Sequence, residues 1–176
     1  SCAFCATGKL KRVRNLNFDE IYDQVVMINN QAKEKYSIPL SNIVFMGMGE
    51  PLLNYNNLLE SIEKITSKEG LGMSAKRITV STAGIANKIK RLADDNVRFN
   101  LALSLHAAND LKRNKIMPIN ESNNLEALKE ALKYFYQKTK IKPTFEYIIF
   151  KNFNDKIQDA VELYEFCKVI PSKINI

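Results

Sequence analysis

The sequence predicts an α/β fold organised around a parallel sheet. Three observations carry this expectation: helical and strand periodicities alternate from end to end, the apolar strand segments are short and rich in β-branched residues, and no repeat, linker or low-complexity stretch interrupts the series. With 176 residues, 45% apolar and 26% charged, the chain can build one domain with a real core but hardly two.

The elements follow in order. Asn17 precedes Ile21, Val25, Ile28 and Ala32, which share one helical face, and Glu20 completes a capping-box pattern with Asn17. Residues 42–46 are apolar and run into glycine, which predicts a short buried strand. Leu58, Leu59, Ile62 and Ile65 give a second helix, 77–81 a second strand, Ile85, Ile89 and Leu92 a third helix, and 98–105 a third strand. Asp110 and the Lys112-Arg113 pair read as a solvated helix face. Leu125, Leu128, Leu132 and Phe135, after the cap-rich stretch 120–124, mark the longest helix. Residues 144–150 form a fourth strand, Ile157, Val161, Tyr164 and Cys167 a last helix, and the alternation at 173–176 a closing strand. Strands separated by helices pair in parallel through right-handed crossovers, in a barrel or in an open doubly wound sheet. A complete eightfold barrel has about 250 residues, so five strands make a partial barrel or an open sheet.

Composition narrows the function classes. Lys and Arg number 26 against 19 Asp and Glu, a net charge of +7 that favours an anionic partner. The longest apolar runs, 43–46 and 101–105, fall far short of the ~20 residues of a membrane span, so no membrane partner is expected. Three cysteines, an odd number with two of them close together, do not suit a secreted disulfide framework and predict a reducing, cytoplasmic setting. The chain opens at Ser1 inside a cysteine motif and stops in a strand, the expected appearance of a piece of a longer protein.

Ligands of both candidate architectures gather at strand C-termini, and three clusters sit there. Gly47-Met48-Gly49-Glu50-Pro51 places a carboxylate behind two glycines, where it could hold an ammonium group or simply be a solvated turn residue. Ser81-Thr82-Ala83-Gly84 could bind an anion with its hydroxyls and N–H groups, or be a plain helix cap. Ser104-Leu105-His106 carries the only histidine, in a setting where a structural role is the commoner one. At the N-terminus, Cys2-Ala3-Phe4-Cys5 reads as a redox pair, half a zinc site or part of an iron–sulfur site. Cys167 reads as a packed apolar residue, and the basic loop Lys9, Lys11, Arg12 and Arg14 as solvated surface or a phosphate contact.

Taken together these residues resemble a known family. Cys2-Ala3-Phe4-Cys5-Ala6-Thr7-Gly8 is similar to the end of the C-x3-C-x2-C motif of radical S-adenosylmethionine enzymes, and more narrowly to that of the bacterial ribosomal RNA and tRNA adenine-C2 methyltransferases. Phe45 to Leu52, Val80 to Gly84, Leu103 to Ala107 and Met117-Pro118-Ile119-Asn120 follow in that family's order, so the resemblance spans essentially the whole chain. It implies a radical-SAM-type partial (β/α)6 barrel, here without its first strand and C-terminal part, with residues 1–176 as a core fragment and the accessory N-terminal domain and C-terminal tail absent. It also implies a [4Fe–4S] cluster held by Cys2, Cys5 and a third cysteine upstream of Ser1. S-adenosyl-L-methionine would then be bound by Gly49, Glu50, Ser81, Ser104, Leu105 and His106.

The implied activity is methylation of C2 of adenine in 23S rRNA and tRNA. It proceeds through a methyl-cysteine and a radical taken from it, and requires a protein electron donor for the cluster. The related adenine-C8 methyltransferases are the nearest alternative, and a metal-free α/β binding module the alternative from another class. In the family pattern both catalytic cysteines fall outside residues 1–176, so no catalytic residue is assigned here and the chain alone is expected to be inactive.

Overall fold

The computed structural model of the protein describes residues 2–10 and 13–176, which leaves Lys11 and Arg12 of the basic loop outside the described residues. Helix α1 (Phe18–Tyr36) starts where the capping box predicts. The Asn17 side chain accepts the Glu20 N–H at 2.9 Å, and the Glu20 carboxylate accepts the Asn17 N–H at 2.9 Å. Then follow β1 (Ile43–Phe45), α2 (Tyr55–Thr66), β2 (Ile78–Thr82), α3 (Ala86–Asp94), β3 (Asn100–Ser104), α4 (Asp110–Ile116), α5 (Leu125–Thr139), β4 (Thr144–Glu146), α6 (Ile157–Cys167) and β5 (Lys173–Asn175).

The sheet order is β1-β2-β3-β4-β5 and every pairing is parallel. This order decides what periodicity left open. A right-handed crossover that always steps to the next strand in the same direction puts each helix on the same face, whereas a doubly wound sheet must reverse. The five strands therefore form an arc of a barrel wall. Alternation along the strands confirms it. Ile78 and Val80, Leu101 and Leu103, and Phe145 are wholly buried in one core with Leu58, Ile65, Ile89, Leu92, Leu128, Leu132 and Phe135 of the helices. The alternate positions carry Thr79, Ser81, Asn100, Ser104, Thr144 and Glu146, a small and polar inner row.

Packing corrects five of the sequence expectations. The longest helix is α1, with 19 residues against 15 in α5. The face of α1 turned to the core is Tyr22, Val25 and Asn29, not the Ile28 row, and Ile28 is exposed. Asn29 is buried because its Oδ1 accepts the Leu40 N–H at 3.0 Å, satisfying the backbone where the chain turns into β1. Strand β1 is not buried, since Val44 on the inner row is 60% exposed.

Strand β4 is shorter than 144–150. After it the Ile148 N–H donates to His106 Nδ1 and the Phe150 N–H to Asn154 Oδ1, so both leave the ladder. Finally, α6 buries Asp159, Leu163, Phe166 and Cys167, so of the predicted face only Cys167 is inside, while Ile157, Val161 and Tyr164 lie outside. Both stripes have helical spacing. The inner one is selected by Phe166, edge-on to Phe145 with centroids 5.4 Å apart, and by Asp159, which pairs with Lys112. Among the described residues no helix is long and apolar enough to cross a membrane.

Candidate functional site

The three clusters and the cysteine pair converge at the C-terminal rim of the sheet. Glu50 caps a short 3-10 turn (Pro51–Asn54), and Pro51 fixes that turn's entry. Its carboxylate is held from both sides. Oε1 accepts the Leu52 N–H at 3.1 Å and the Thr82 hydroxyl at 2.8 Å, and Oε2 accepts the Ala83 N–H at 2.7 Å. A carboxylate has about four acceptor sites, so Oε2 retains capacity for one more donor. Burial pushes the Glu50 carboxyl above its ordinary range, and the three donors partly oppose that shift. Glu50 is therefore not a solvated turn residue. Gly49 is needed for its backbone, with φ +94°, although a Cβ at Gly49 or at Gly47 would meet only open space.

The end of β2 is equally constrained. Thr82 is 1% exposed, donates to Glu50 and accepts the Gly84 N–H at 3.0 Å. Gly84 has φ +103°, and a Cβ there would sit 3.0 Å from Leu128 and 3.1 Å from Leu103. Ser81 and Ser104, on adjacent strands of the inner row, bring their hydroxyls to 3.4 Å.

His106 follows β3 in a left-handed conformation, φ +54°. Its Nδ1 accepts the Ile148 N–H at 3.2 Å, which puts the proton of the neutral ring on Nε2. Burial, then the nearby Arg113 charge, pulls its pKa down to about 4, so the ring is neutral at physiological pH. Asn154 supports the same turn, donating to the carbonyls of His106 at 2.7 Å and Ile148 at 2.8 Å. Leu105 differs from its neighbours: its side chain lies wholly in the core, its N–H donates to Glu146 O and its carbonyl accepts Arg113 Nε.

The cysteine segment lies across this rim. Phe4 packs edge-on against His106 at 5.1 Å and at a tilt against Phe150 at 5.3 Å, and the Ala3 N–H donates to Ile116 O at the end of α4. The Cys5 N–H donates to Cys2 O at 3.1 Å, a tight turn that leaves both cysteines half-buried thiols. Burial raises the Cys2 thiol pKa and Cys5 adds to the rise, while the Arg113 charge opposes it. Two soft sulfur donors on one turn fit a thiolate-bound cluster in kind. They are two ligands only: among the described residues no group of three Cys, His, Asp or Glu could close around a metal. Cys167 sits in the core and burial pushes its thiol up to about 11, in keeping with a packing role.

Reading Asp110, Lys112 and Arg113 as solvated was wrong. Arg113 is completely buried. Its Nη2 donates to the Ala83 carbonyl at 2.6 Å and the Ser104 carbonyl at 3.1 Å, its Nε to Leu105 O at 3.1 Å, and its Nη1 to Asn120 Oδ1 at 2.7 Å. Asn120 in turn donates to Asp110, whose Oδ1 also takes the Leu125 N–H that opens α5. Lys112 pairs with the buried Asp159. No sequence signal marked this network: Asn120 becomes buried, and so needs a partner, only in the assembled fold. Burial pulls the Arg113 pKa down to about 10, with Cys2 and Asp110 opposing the shift.

Comparison with known proteins agrees with this geometry. A family model described as Radical SAM superfamily matches residues 1–167. The chain is 62% identical over 176 residues to the probable dual-specificity RNA methyltransferase RlmN of Cytophaga hutchinsonii, covering 100% of this chain and 48% of that protein. It is 59% identical over 175 residues to the protein of the same name in Christiangramia forsetii, covering 99% of this chain and 50% of that one. The crystal structure of a radical SAM methyltransferase from Sphaerobacter thermophilus superposes with a TM-score of 0.95 at 37% identity, over 99% of this chain and 51% of that one. The crystal structure of archaeal TYW1 shares the fold, with a TM-score of 0.62 at 19% identity over 93% of this chain and 58% of that one. The chain spans about half the length of the curated relatives it matches. It belongs to the Radical SAM superfamily.

Proposed function

We propose that this chain is the cofactor-binding core of an RNA methyltransferase that modifies C2 of adenine in ribosomal RNA and tRNA. The observation that carries the proposal is the seating of the Cys2–Cys5 turn, through Phe4, on His106 at the rim that also holds Glu50, Ser81 and Ser104. Cys2 and Cys5, with a third cysteine upstream, would hold a [4Fe–4S] cluster there, and when bound that group would supply the reducing power for cleavage of S-adenosyl-L-methionine.

The chain's own residues bind and orient that molecule. Glu50, with one acceptor site open on Oε2, takes the methionyl ammonium beside the Gly49 backbone. Ser81 and Ser104 present hydroxyls to the methionine and ribose portions from the inner row. His106, neutral with its proton on Nε2, offers an apolar ring face and one donor toward the ribose and adenine. Leu105 contributes to the wall through its backbone, since its side chain faces the core. The net charge of +7 and Lys9, four residues after Cys5, suit an RNA partner, whereas Arg14 is already paired with Glu20. The catalytic cysteines of the family pattern lie outside residues 1–176, so this chain by itself is expected not to methylate RNA.

The test is anaerobic reconstitution with iron and sulfide, on this chain and on one extended upstream through the expected third cysteine. Uptake of about four irons and S-adenosylmethionine binding by the extended chain support the proposal. A preference for zinc, or no cluster in either chain, overturns it. Mapping the methylated carbon on RNA treated with the full-length protein separates C2 from C8.

A further inference from the structure

Arg113 is a wholly buried charge that the proposed chemistry has not used. Its guanidinium is 0% exposed and donates to three backbone carbonyls and one amide oxygen, all neutral. Among the described residues no carboxylate is in salt-bridge contact with it. Asp110, on the same helix, is turned to Asn120 and to the Leu125 N–H. A buried cation normally has a counter-charge. The same rim seats the cysteine turn: Arg113 holds the carbonyl of Leu105, the next residue His106 packs against Phe4 at 5.1 Å, and the Ala3 N–H donates to Ile116 O on the same helix as Arg113.

We infer that Arg113 is a positioning residue with an electrostatic role: it locks the ends of β2 and β3 together and sets a fixed positive charge at the rim that seats the cysteine turn, which makes a cluster held by that turn easier to reduce. The inference rests on the functional reading above and goes beyond it. Reduction of such a cluster takes up one electron from a low-potential donor and breaks no bond, so the change to be stabilised is one added negative charge. Net charge and hydrogen bonding around a cluster set its potential. The lock and the charge are separable. A lysine keeps the charge and loses the planar fork, whereas a glutamine keeps some hydrogen bonding and loses the charge.

The experiment is an EPR-monitored redox titration of the reconstituted extended chain and its variants Arg113→Gln, Arg113→Lys and Asp110→Asn. Arg113→Gln is expected to disfavour reduction by at least tenfold, a negative shift of about 59 mV for one electron. Arg113→Lys is expected to stay near the parent. Asp110→Asn, whose amide oxygen can still accept from Asn120 and Leu125, removes an offsetting negative charge and is expected to shift the midpoint the other way. If Arg113→Gln does not fold, Asp110→Asn decides alone: a positive shift supports the inference, and no shift or a negative one overturns it. Equal midpoints across folded, cluster-bearing variants overturn it, and so does an Arg113→Lys shift as large as that of Arg113→Gln. Failure of the parent to assemble a cluster removes the functional reading and this inference together; unmoved midpoints in a cluster-bearing parent series remove only this one.

Discussion

Glu50→Gln is the sharpest test of how the rim is built. The carboxylate accepts two donors on Oε1 and one on Oε2. A glutamine can match only one side. With its oxygen toward Leu52 and Thr82, its NH2 faces the Ala83 N–H across the 2.7 Å now spanned by a hydrogen bond. One charge-assisted bond, worth about 1.5–3 kcal/mol, is lost and a buried N–H is left unpaired at about 1–3 kcal/mol. Relief from burying a charge offsets part of this, since burial is the main influence on Glu50. A net loss of about 2 kcal/mol follows, against about 0.5 kcal/mol for a solvated turn residue. Urea unfolding followed by far-UV circular dichroism, well above the carboxylate titration range, reads it as a midpoint lower by about 1 M at an unchanged slope of about 2 kcal/mol/M. A cycle with Thr82→Val should show about 1 kcal/mol of coupling. A loss within 0.5 kcal/mol, or strict additivity with Thr82→Val, would refute the clamp.

Three further outcomes are expected. His106 titrates near 6.5 when unfolded and about 4 when folded, so the unfolded chain takes its proton first as pH falls, and stability present above 6.5 is lost toward 4. Measured against His106→Asn, which tolerates the left-handed backbone and does not titrate, acidification through that window should cost the parent on the order of 3 kcal/mol; parallel pH profiles would contradict this. Gly84→Ala combines a φ of +103° with a Cβ 3.0 Å from Leu128. It should lower stability by about 2–4 kcal/mol in urea unfolding, with Leu128→Ala in the same chain relieving the crowding and not the backbone strain. Asn17→Ala removes the cap of α1 and should cost about 1 kcal/mol, read as a lower thermal midpoint with little change in folded helical signal.

The sequence by itself determined the order of the elements and the place of the candidate site. Alternating periods of about 3.6 and 2 are local consequences of backbone geometry, and so are the capping box at Asn17 and Glu20 and the glycines at the strand ends. The cysteine turn and the three clusters were legible for the same reason, because their chemistry lies within a few residues of chain. What only the tertiary structure decided is which of two available faces each helix buries and which charges are solvated. Helix α6 carries two stripes of helical spacing, and Phe145 and Lys112, both distant in sequence, choose the one with Phe166 and Asp159. Ile28 and Asn29 are adjacent on α1, and the need of the Leu40 N–H for an acceptor turns the asparagine inward. Arg113 reads as surface because a charge usually is. It is core here because the carbonyls of Ala83, Ser104 and Leu105 end their strands pointing at one spot, and a planar five-donor cation satisfies them together. Burial and hydrogen-bond demand are properties of the assembled sheet, and no stretch of sequence contains them.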